Sequence, residues 1–266
     1  MSTLAQLLSV SLPSELAAAQ QKCYVTYHQS LLGSDPSGTD PHITLLESRF
    51  LLSAAGTTGL RTWEAALHLG QYLCANPEIC RGRRILELGS GTGYLSILCA
   101  KYLEADHVVA SDGSDDVIDN LPDSIYLNGL QGSDKVLPMD LKWGHALVGT
   151  EERDWNGGRN IDVVLGADVT YDLDLHPALV DTLQELSSLI PNVEIIIAAT
   201  KRNQKTFESF LGACQRVGYE VNHVDFPTVK AEEQMGPFYE DWPPIHLCKL
   251  VYRRCTADEH SELQLD

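Results

Sequence analysis

The sequence predicts a doubly wound α/β fold built around a mostly parallel sheet. Strand-like apolar runs alternate with helix-like segments between residues 63 and 252. Two of the runs, residues 163–165 and 195–197, are continuously apolar, which is typical of strands buried on both faces of a parallel sheet. The six or seven strands are too few for a closed barrel of eight, so we expect an open sheet with helices on both faces.

The strands and helices follow one another in a regular order. Helices are predicted where apolar residues recur at helical spacing, and strands where short apolar runs end in glycine or polar residues. The predicted strands comprise residues 84–88, 108–111, 135–139, 161–166, 193–199, 220–224 and 246–252. The predicted helices comprise residues 63–74, 94–102, 117–127, 177–189 and 205–217.

The N-terminal region differs from this alternating part. Residues 2–30 carry leucine and alanine at mixed helical spacing and predict one or two helices, while residues 32–41 are rich in Gly, Ser, Asp and Pro and predict a linker. Two short apolar runs follow, residues 42–47 and 50–55, and these are expected to pair as a hairpin. The predicted domain limits are therefore 1–41 for a helical extension and linker, 42–255 for the α/β domain, and 256–266 for a polar tail.

Composition excludes several classes of protein. The chain has 19 Lys and Arg against 37 Asp and Glu, a net charge of −18, which argues against a nucleic-acid-binding protein. A hydrophobic content of 44% argues against a disordered chain. The seven cysteines form no C-x-x-C pair and the nine histidines no ligand spacing, so we expect reduced thiols, no metal and a cytoplasmic protein. No apolar run is long enough to span a membrane, and no targeting segment is expected.

A glycine-rich loop follows the first strand of the α/β region and precedes a helix. Glycines in such a loop allow a sharp turn, a close approach to a ligand and presentation of N–H groups at a helix N-terminus. A dinucleotide-binding loop needs its third glycine at position 94, where the chain has Tyr94. The run from Glu87 through Gly89, Ser90 and Gly91 instead resembles the S-adenosylmethionine (SAM) loop of class I methyltransferases. A purely structural turn is the alternative.

Acidic and aromatic side chains follow the next strands at the same edge of the sheet. Asp112 ends the second strand, where a carboxylate accepts from ribose hydroxyls, although a helix cap is the alternative. Asp140 and Trp143 follow the third strand, where they would contact an adenine ring; a core position is the alternative for Trp143. Asp168 and Tyr171 follow the fourth strand, beside the glycine loop, and a helix cap is the alternative for Asp168.

Together these motifs resemble one group of enzymes. The Asp168-x-x-Tyr171 turn, the upstream run 59–66 and the Asp140-x-x-Trp143 pair resemble the seven-strand protein-lysine methyltransferases of methyltransferase family 16. Residues 43–48 and 55–63 look most like the branch that methylates a lysine of translation elongation factor 2. The resemblance covers about residues 42–253.

The resemblance implies a seven-stranded Rossmann-like sheet and a SAM-dependent protein-lysine N-methyltransferase that releases S-adenosylhomocysteine. Trp63 and Ala167 join the residues expected around the cofactor, and Asp168 and Tyr171 are expected to hold the target lysine. A core position is the alternative for Trp63. The expected partner is elongation factor 2, bound by a monomeric enzyme. Members of this branch carry a longer helical module before the strand at Ile43, whereas about forty residues precede it here. Substrate docking is therefore the function for which the resemblance gives the least guidance.

Several alternatives stay open at this level. The methyl acceptor could be another protein or a small-molecule amine, or the chain could be a SAM-binding scaffold without catalysis. Residues 229–239 have the length and composition of either a substrate-side loop or a plain surface hairpin. Lys201 and Arg202 could face an acidic partner, and solvent is the favoured interpretation for both.

Overall fold

The computed structural model describes residues 22–34, 38–48, 58–145 and 160–253. Their helices are α1 (Glu64–Ala75), α2 (Tyr94–Lys101), α3 (Asp115–Leu127), α4 (His176–Leu189) and α5 (Gln204–Arg216). The strands are β1 (Lys22–His28), β2 (His42–Ser48), β3 (Arg84–Leu88), β4 (His107–Asp112), β5 (Val136–Asp140), β6 (Val163–Ala167), β7 (Glu194–Thr200), β8 (Tyr219–Val224) and β9 (Ile245–Tyr252).

Seven of these strands form one sheet in the order β5-β4-β3-β6-β7-β9-β8. The pairings from β5 through β7 are parallel, and β9 inserts antiparallel between β7 and β8. The chain reverses its direction of progress across the sheet between β3 and β6, the place where ligands bind in open α/β sheets. The predicted doubly wound, mostly parallel fold is confirmed.

The two faces of the sheet bury separate apolar clusters because successive side chains of a strand point to opposite faces. On one face Ile85 packs with leucines of α1 and α2, and on the other Leu86 packs with Leu183 of α4 and Phe210 of α5. A continuous run of buried residues, like that in β6, is what a strand requires when both faces of its sheet are covered. The predicted strands and helices between residues 63 and 252 agree with the observed ones to within two residues.

The N-terminal part corrects the sequence-based prediction. Lys22–His28 is a strand that pairs antiparallel with β2, whereas helices were predicted over residues 2–30. Its side chains alternate between exposed and partly buried positions, the period of two expected of a strand with one face toward solvent. The partner of β2 is therefore β1. Residues 50–55, the predicted partner, lie outside the described residues, as do the predicted helix before residue 22 and the tail 256–266.

No helix among the described ranges combines the length and the apolar character needed to cross a membrane.

Candidate functional site

A cavity of about 510 Å³ opens at the carboxyl ends of β3, β4 and β6. All the predicted site residues except Asp140 lie in its lining, and they come from five separate parts of the chain. The predicted residues that line it are Trp63, Glu87, Gly89, Ser90, Gly91, Asp112, Trp143, Ala167, Asp168 and Tyr171. The fold thus brings the motifs together at the edge of the sheet where the strand order changes direction.

The glycine loop between β3 and α2 forms the floor of the cavity. Gly89 has φ +65°, and a Cβ atom there would lie 2.8 Å from Cγ1 of Val169. Glycine is therefore required at this position both by backbone conformation and by space. Ser90 places a buried hydroxyl in the lining, and its Oγ has no hydrogen-bond partner among the described residues. A buried hydroxyl without a partner is unfavourable, so it suits a polar ligand in the cavity.

Glu87 lies in the cavity wall with its carboxyl group buried. Its Oε2 accepts hydrogen bonds from the backbone N–H of Ser96, at 2.9 Å, and from the Ser96 hydroxyl. Burial raises the pKa of Glu87 to about 8, against the opposing effect of these hydrogen bonds. A cation placed beside this carboxyl group would favour its ionised form.

Asp112 holds the glycine loop as well as lining the cavity. Its Oδ2 accepts from the N–H of Gly91 at 3.1 Å and its Oδ1 from the N–H of Ser114 at 3.0 Å. Burial raises the pKa of Asp112, and these hydrogen bonds oppose the effect. The carboxylate is therefore fixed in orientation at the cavity edge.

Asp140 stands beside Asp112 in the register of β4 and β5 but does not line the cavity. Its carboxylate is exposed and lies 3.6 Å from the Nζ atom of Lys142. Trp143, three residues further along the chain, lines the cavity and packs partly against the apolar cluster that includes Leu183 of α4. Of the two residues predicted to contact adenine, Trp143 lines the cavity, and Asp140 lies beside a lining residue, Lys142.

Asp168 follows β6 directly and has a strained backbone conformation, with φ +53°. Its Oδ1 accepts from the N–H of Thr200 at 2.8 Å, and its Oδ2 accepts from the Thr200 hydroxyl at 2.9 Å and from Arg202 at 3.3 Å. The side chain is only 7% exposed. Burial raises the pKa of Asp168, whereas the positive charge of Arg202 lowers it. The carboxylate is thus held by β7 rather than capping α4.

Arg202 corrects the interpretation that favoured solvent for this residue. Its side chain is 39% exposed, yet it lines the cavity and bridges Asp168 to Glu64, whose Oε2 lies 2.8 Å away. The guanidinium carbon also lies 4.9 Å from the centre of the Trp63 ring, a cation–π distance. Its position just after β7, at the carboxyl edge of the sheet, is the signal by which the sequence could have revealed it.

Trp63 forms a wall of the cavity and contacts two guanidinium groups. Its Nε1 donates to the carbonyl oxygen of Thr58 at 3.0 Å, which fixes the ring. The guanidinium carbon of Arg61 lies 5.3 Å from the ring centre, in addition to the contact with Arg202. Trp63 is therefore part of the site as well as the residue before α1.

The β1–β2 pair is tied to the cavity by buried polar contacts. The Thr62 hydroxyl donates to Oε1 of Glu47 at 2.6 Å and lies 2.6 Å from the hydroxyl of Thr92. The Tyr27 hydroxyl donates to the same Glu47 oxygen at 2.9 Å. Because Thr62 and Thr92 both line the cavity, the N-terminal strands support its wall. No sequence pattern indicated this connection.

Tyr171 is 56% exposed and stands at the cavity mouth, three residues after Asp168. Within the four described ranges, no group of three or more His, Cys, Asp or Glu side chains is arranged to hold a metal ion.

Comparison with known proteins identifies relatives of this chain. A family model described as lysine methyltransferase matches residues 49–217. The protein-lysine N-methyltransferase EFM3 of Chaetomium thermophilum is 60% identical over 250 residues, which are 94% of this chain and 74% of that protein. The protein-lysine N-methyltransferase EEF2KMT of Homo sapiens is 33% identical over 219 residues, 77% of this chain and 62% of its own length. EFM3 of Saccharomyces cerevisiae is 32% identical over 201 residues, 70% of this chain and 57% of its own length.

Solved structures share the fold at low sequence identity. A SAM-dependent methyltransferase from Agrobacterium tumefaciens superimposes with a TM-score of 0.52 at 15% identity, covering 79% of this chain and 68% of that chain. Precorrin-6y C5,15-methyltransferase from Geobacter metallireducens superimposes with a TM-score of 0.51 at 11% identity, covering 73% of this chain and 94% of that chain. These likenesses concern the fold alone.

Proposed function

The chain belongs to the lysine methyltransferase family, and from this premise we propose that it transfers a methyl group from SAM to a lysine of translation elongation factor 2. The observation that carries the proposal is the meeting of the glycine loop with Asp168 and Tyr171 in one cavity. The identity to EFM3 and EEF2KMT supports a protein-lysine acceptor. The choice of elongation factor 2 rests on the resemblance of residues 43–48 and 55–63 to that branch.

The cavity has the chemical groups that SAM requires. The buried Glu87 carboxyl suits the cationic amino group, while the unpartnered Ser90 hydroxyl and the N–H groups at the start of α2 suit the carboxylate. Asp112 would hold the ribose, with Trp63 and Trp143 as walls for the adenosine. Ala167 would lie beneath the cofactor, and a role for Asp140 at the adenine amino group stays a prediction. SAM supplies an electrophilic methyl group on a sulfonium.

The acceptor lysine has to be neutral at its Nζ atom before it can attack. A free lysine has a pKa of about 10.4 and is almost entirely protonated at neutral pH. Asp168 would accept a hydrogen bond from the arriving lysine ammonium group and so orient its Nζ atom. Arg202 donates to Oδ2 of the same carboxylate and would compete for it. The positive charge of Arg202 and the loss of water would lower the lysine pKa, so that its proton passes to solvent. Tyr171 would pack along the aliphatic part of the lysine at the mouth.

The proposal includes a monomeric, cytoplasmic enzyme with a protein substrate. The six cysteines of the described ranges are free thiols. The sulfur atoms of Cys80 and Cys99 lie 3.7 Å apart, well beyond the length of a disulfide bond. Free thiols of this kind are usual in proteins kept under reducing conditions.

Methyl transfer from radiolabelled SAM tests the proposal. The purified chain is incubated with purified elongation factor 2, with a mixture of small primary amines, or with neither. We expect label in elongation factor 2 only. Label only in the small amines would replace the proposed acceptor, and SAM binding without any transfer would support a scaffold instead.

A further inference from the structure

The segment of residues 229–244, which joins β8 to β9, is held in one conformation by buried anchors. The Gln234 side chain donates to the carbonyl oxygens of Val229 and Tyr239, at 2.9 and 3.0 Å, and accepts from the Tyr239 N–H at 2.9 Å. The Tyr239 hydroxyl in turn contacts Gln71 and His68 of α1, at 3.0 and 2.8 Å. Gln234 and Tyr239 are both buried, so the segment is fastened to the body of the domain.

Around these anchors the segment exposes three large apolar side chains. Met235 and Phe238 are each 68% exposed, and Trp242 is 74% exposed. The fixed backbone displays them without the entropy loss that a loose loop would suffer on binding. Large side chains held in this manner are the type that anchors protein–protein contacts.

The same segment carries a negative charge. Four exposed acidic residues stand in it against one exposed basic residue, Lys230. The acidic residues are Glu232, Glu233, Glu240 and Asp241. An apolar surface bordered by carboxylates is complementary to a basic segment that also carries apolar side chains.

The segment approaches the cavity at both of its attachments. Pro244 accepts a hydrogen bond from the N–H of Lys201 at 2.9 Å, which places Trp242 close to the strand end that bears Arg202. At the other attachment, His68 and Gln71 lie on the helix that begins just after Trp63. At the helical rise of about 1.5 Å per residue, they are about 8 and 12 Å along α1 from that cavity wall.

We propose that residues 229–244 form the docking surface for the methyl-accepting protein, and that the docked segment is basic with apolar anchor side chains. This proposal rests on the proposed function, because the partner is the protein whose lysine enters the cavity. It takes residues 229–239 as a substrate-side loop, one of the two alternatives left open for them. The surface would set the affinity for the protein, while the cavity holds SAM and the lysine.

Kinetics of single variants test the docking surface. Trp242→Ala and Phe238→Ala are expected to raise KM for elongation factor 2 at least tenfold, with kcat and KM for SAM unchanged. Tyr126→Ala is the matched control, because Tyr126 is an aromatic residue 66% exposed near the end of α3, away from the cavity. This control is expected to leave all three constants unchanged.

Charge reversal tests the chemistry of the docked segment. Glu240→Lys is expected to raise KM for elongation factor 2 severalfold at low salt, and the effect is expected to shrink as the ionic strength rises. Asp123→Lys, at an exposed position of α3, is the control for net charge. Wild-type activity with unchanged KM in Trp242→Ala, Phe238→Ala and Glu240→Lys would overturn the docking proposal alone. No methylation by the wild-type chain would overturn the proposed function and this proposal with it.

Discussion

Binding of SAM is expected to release a proton from Glu87. Without a cation nearby, burial holds the pKa of this carboxyl group at about 8, so it is mostly protonated at pH 7. A bound amino cation favours the carboxylate and lowers that pKa. A group whose pKa falls on binding releases protons at pH values between its two pKa values, so the affinity for SAM rises with pH over that range.

The size of the release follows from these pKa values. With a pKa of about 8, Glu87 carries about 0.9 proton at pH 7, and full ionisation on binding releases it. The amino group of SAM, with an ordinary α-amino pKa of about 7.8, takes up about 0.1 proton when it pairs with the carboxylate. The net release at pH 7 is therefore up to about 0.8 proton per SAM bound.

Isothermal titration calorimetry in buffers of different ionisation enthalpy measures this number. The observed binding enthalpy is plotted against buffer ionisation enthalpy, and the slope is the number of protons exchanged. Glu87→Gln is the matched variant, because it keeps the size of the side chain and an acceptor for Ser96 but cannot ionise. A slope near zero in the wild type, or the same slope in both proteins, would refute the assignment of Glu87.

Three further predictions concern the acceptor side, the glycine loop and the core. Asp168→Asn removes the negative charge while keeping an oxygen acceptor for Thr200. Turnover on the protein substrate is expected to fall about 100-fold, and the affinity for SAM is expected to stay within about threefold of the wild type. An unchanged kcat would contradict this prediction. Gly89→Ala places a Cβ atom 2.8 Å from Val169 at a left-handed φ and is expected to weaken SAM binding at least tenfold in a calorimetric titration. Gly129→Ala, at φ +71° with open space around it, is the control and is expected to lower stability by only about 1 kcal/mol without changing SAM binding. Burial lowers the pKa of His68 to about 4 from 6.5. The free energy of unfolding therefore has its full value above pH 6.5 and falls by up to about 3 kcal/mol as the pH decreases toward 4. Urea unfolding of the wild type and His68→Gln over this pH range checks it, and an equal pH dependence in both would contradict it.

The elements of the α/β domain were predictable because their signals are local. The continuous apolar runs of β6 and β7 and the helical spacing in α1 depend on neighbouring residues alone, and each was found in the structure. The placing of Asp168 at the cavity followed from the same logic, since parallel strands bring their carboxyl ends to one edge of the sheet.

The features that the sequence did not reveal depend on distant partners. β1 is a strand because β2 pairs with it, and the leucine-rich residues before it favoured a helix. Arg202 belongs to the site through Glu64, which lies 138 residues earlier in the chain. Side-chain direction at such positions is set by contacts that no local pattern records.

The most direct test of the central claim is peptide mass spectrometry of elongation factor 2 after incubation with the purified chain and SAM bearing a deuterated methyl group. We expect deuterated methyl on the Nζ atom of a lysine in the wild-type reaction, and its loss with Asp168→Asn. Deuterium on a different atom type, or the same modification with both proteins, would contradict the account of how this cavity works.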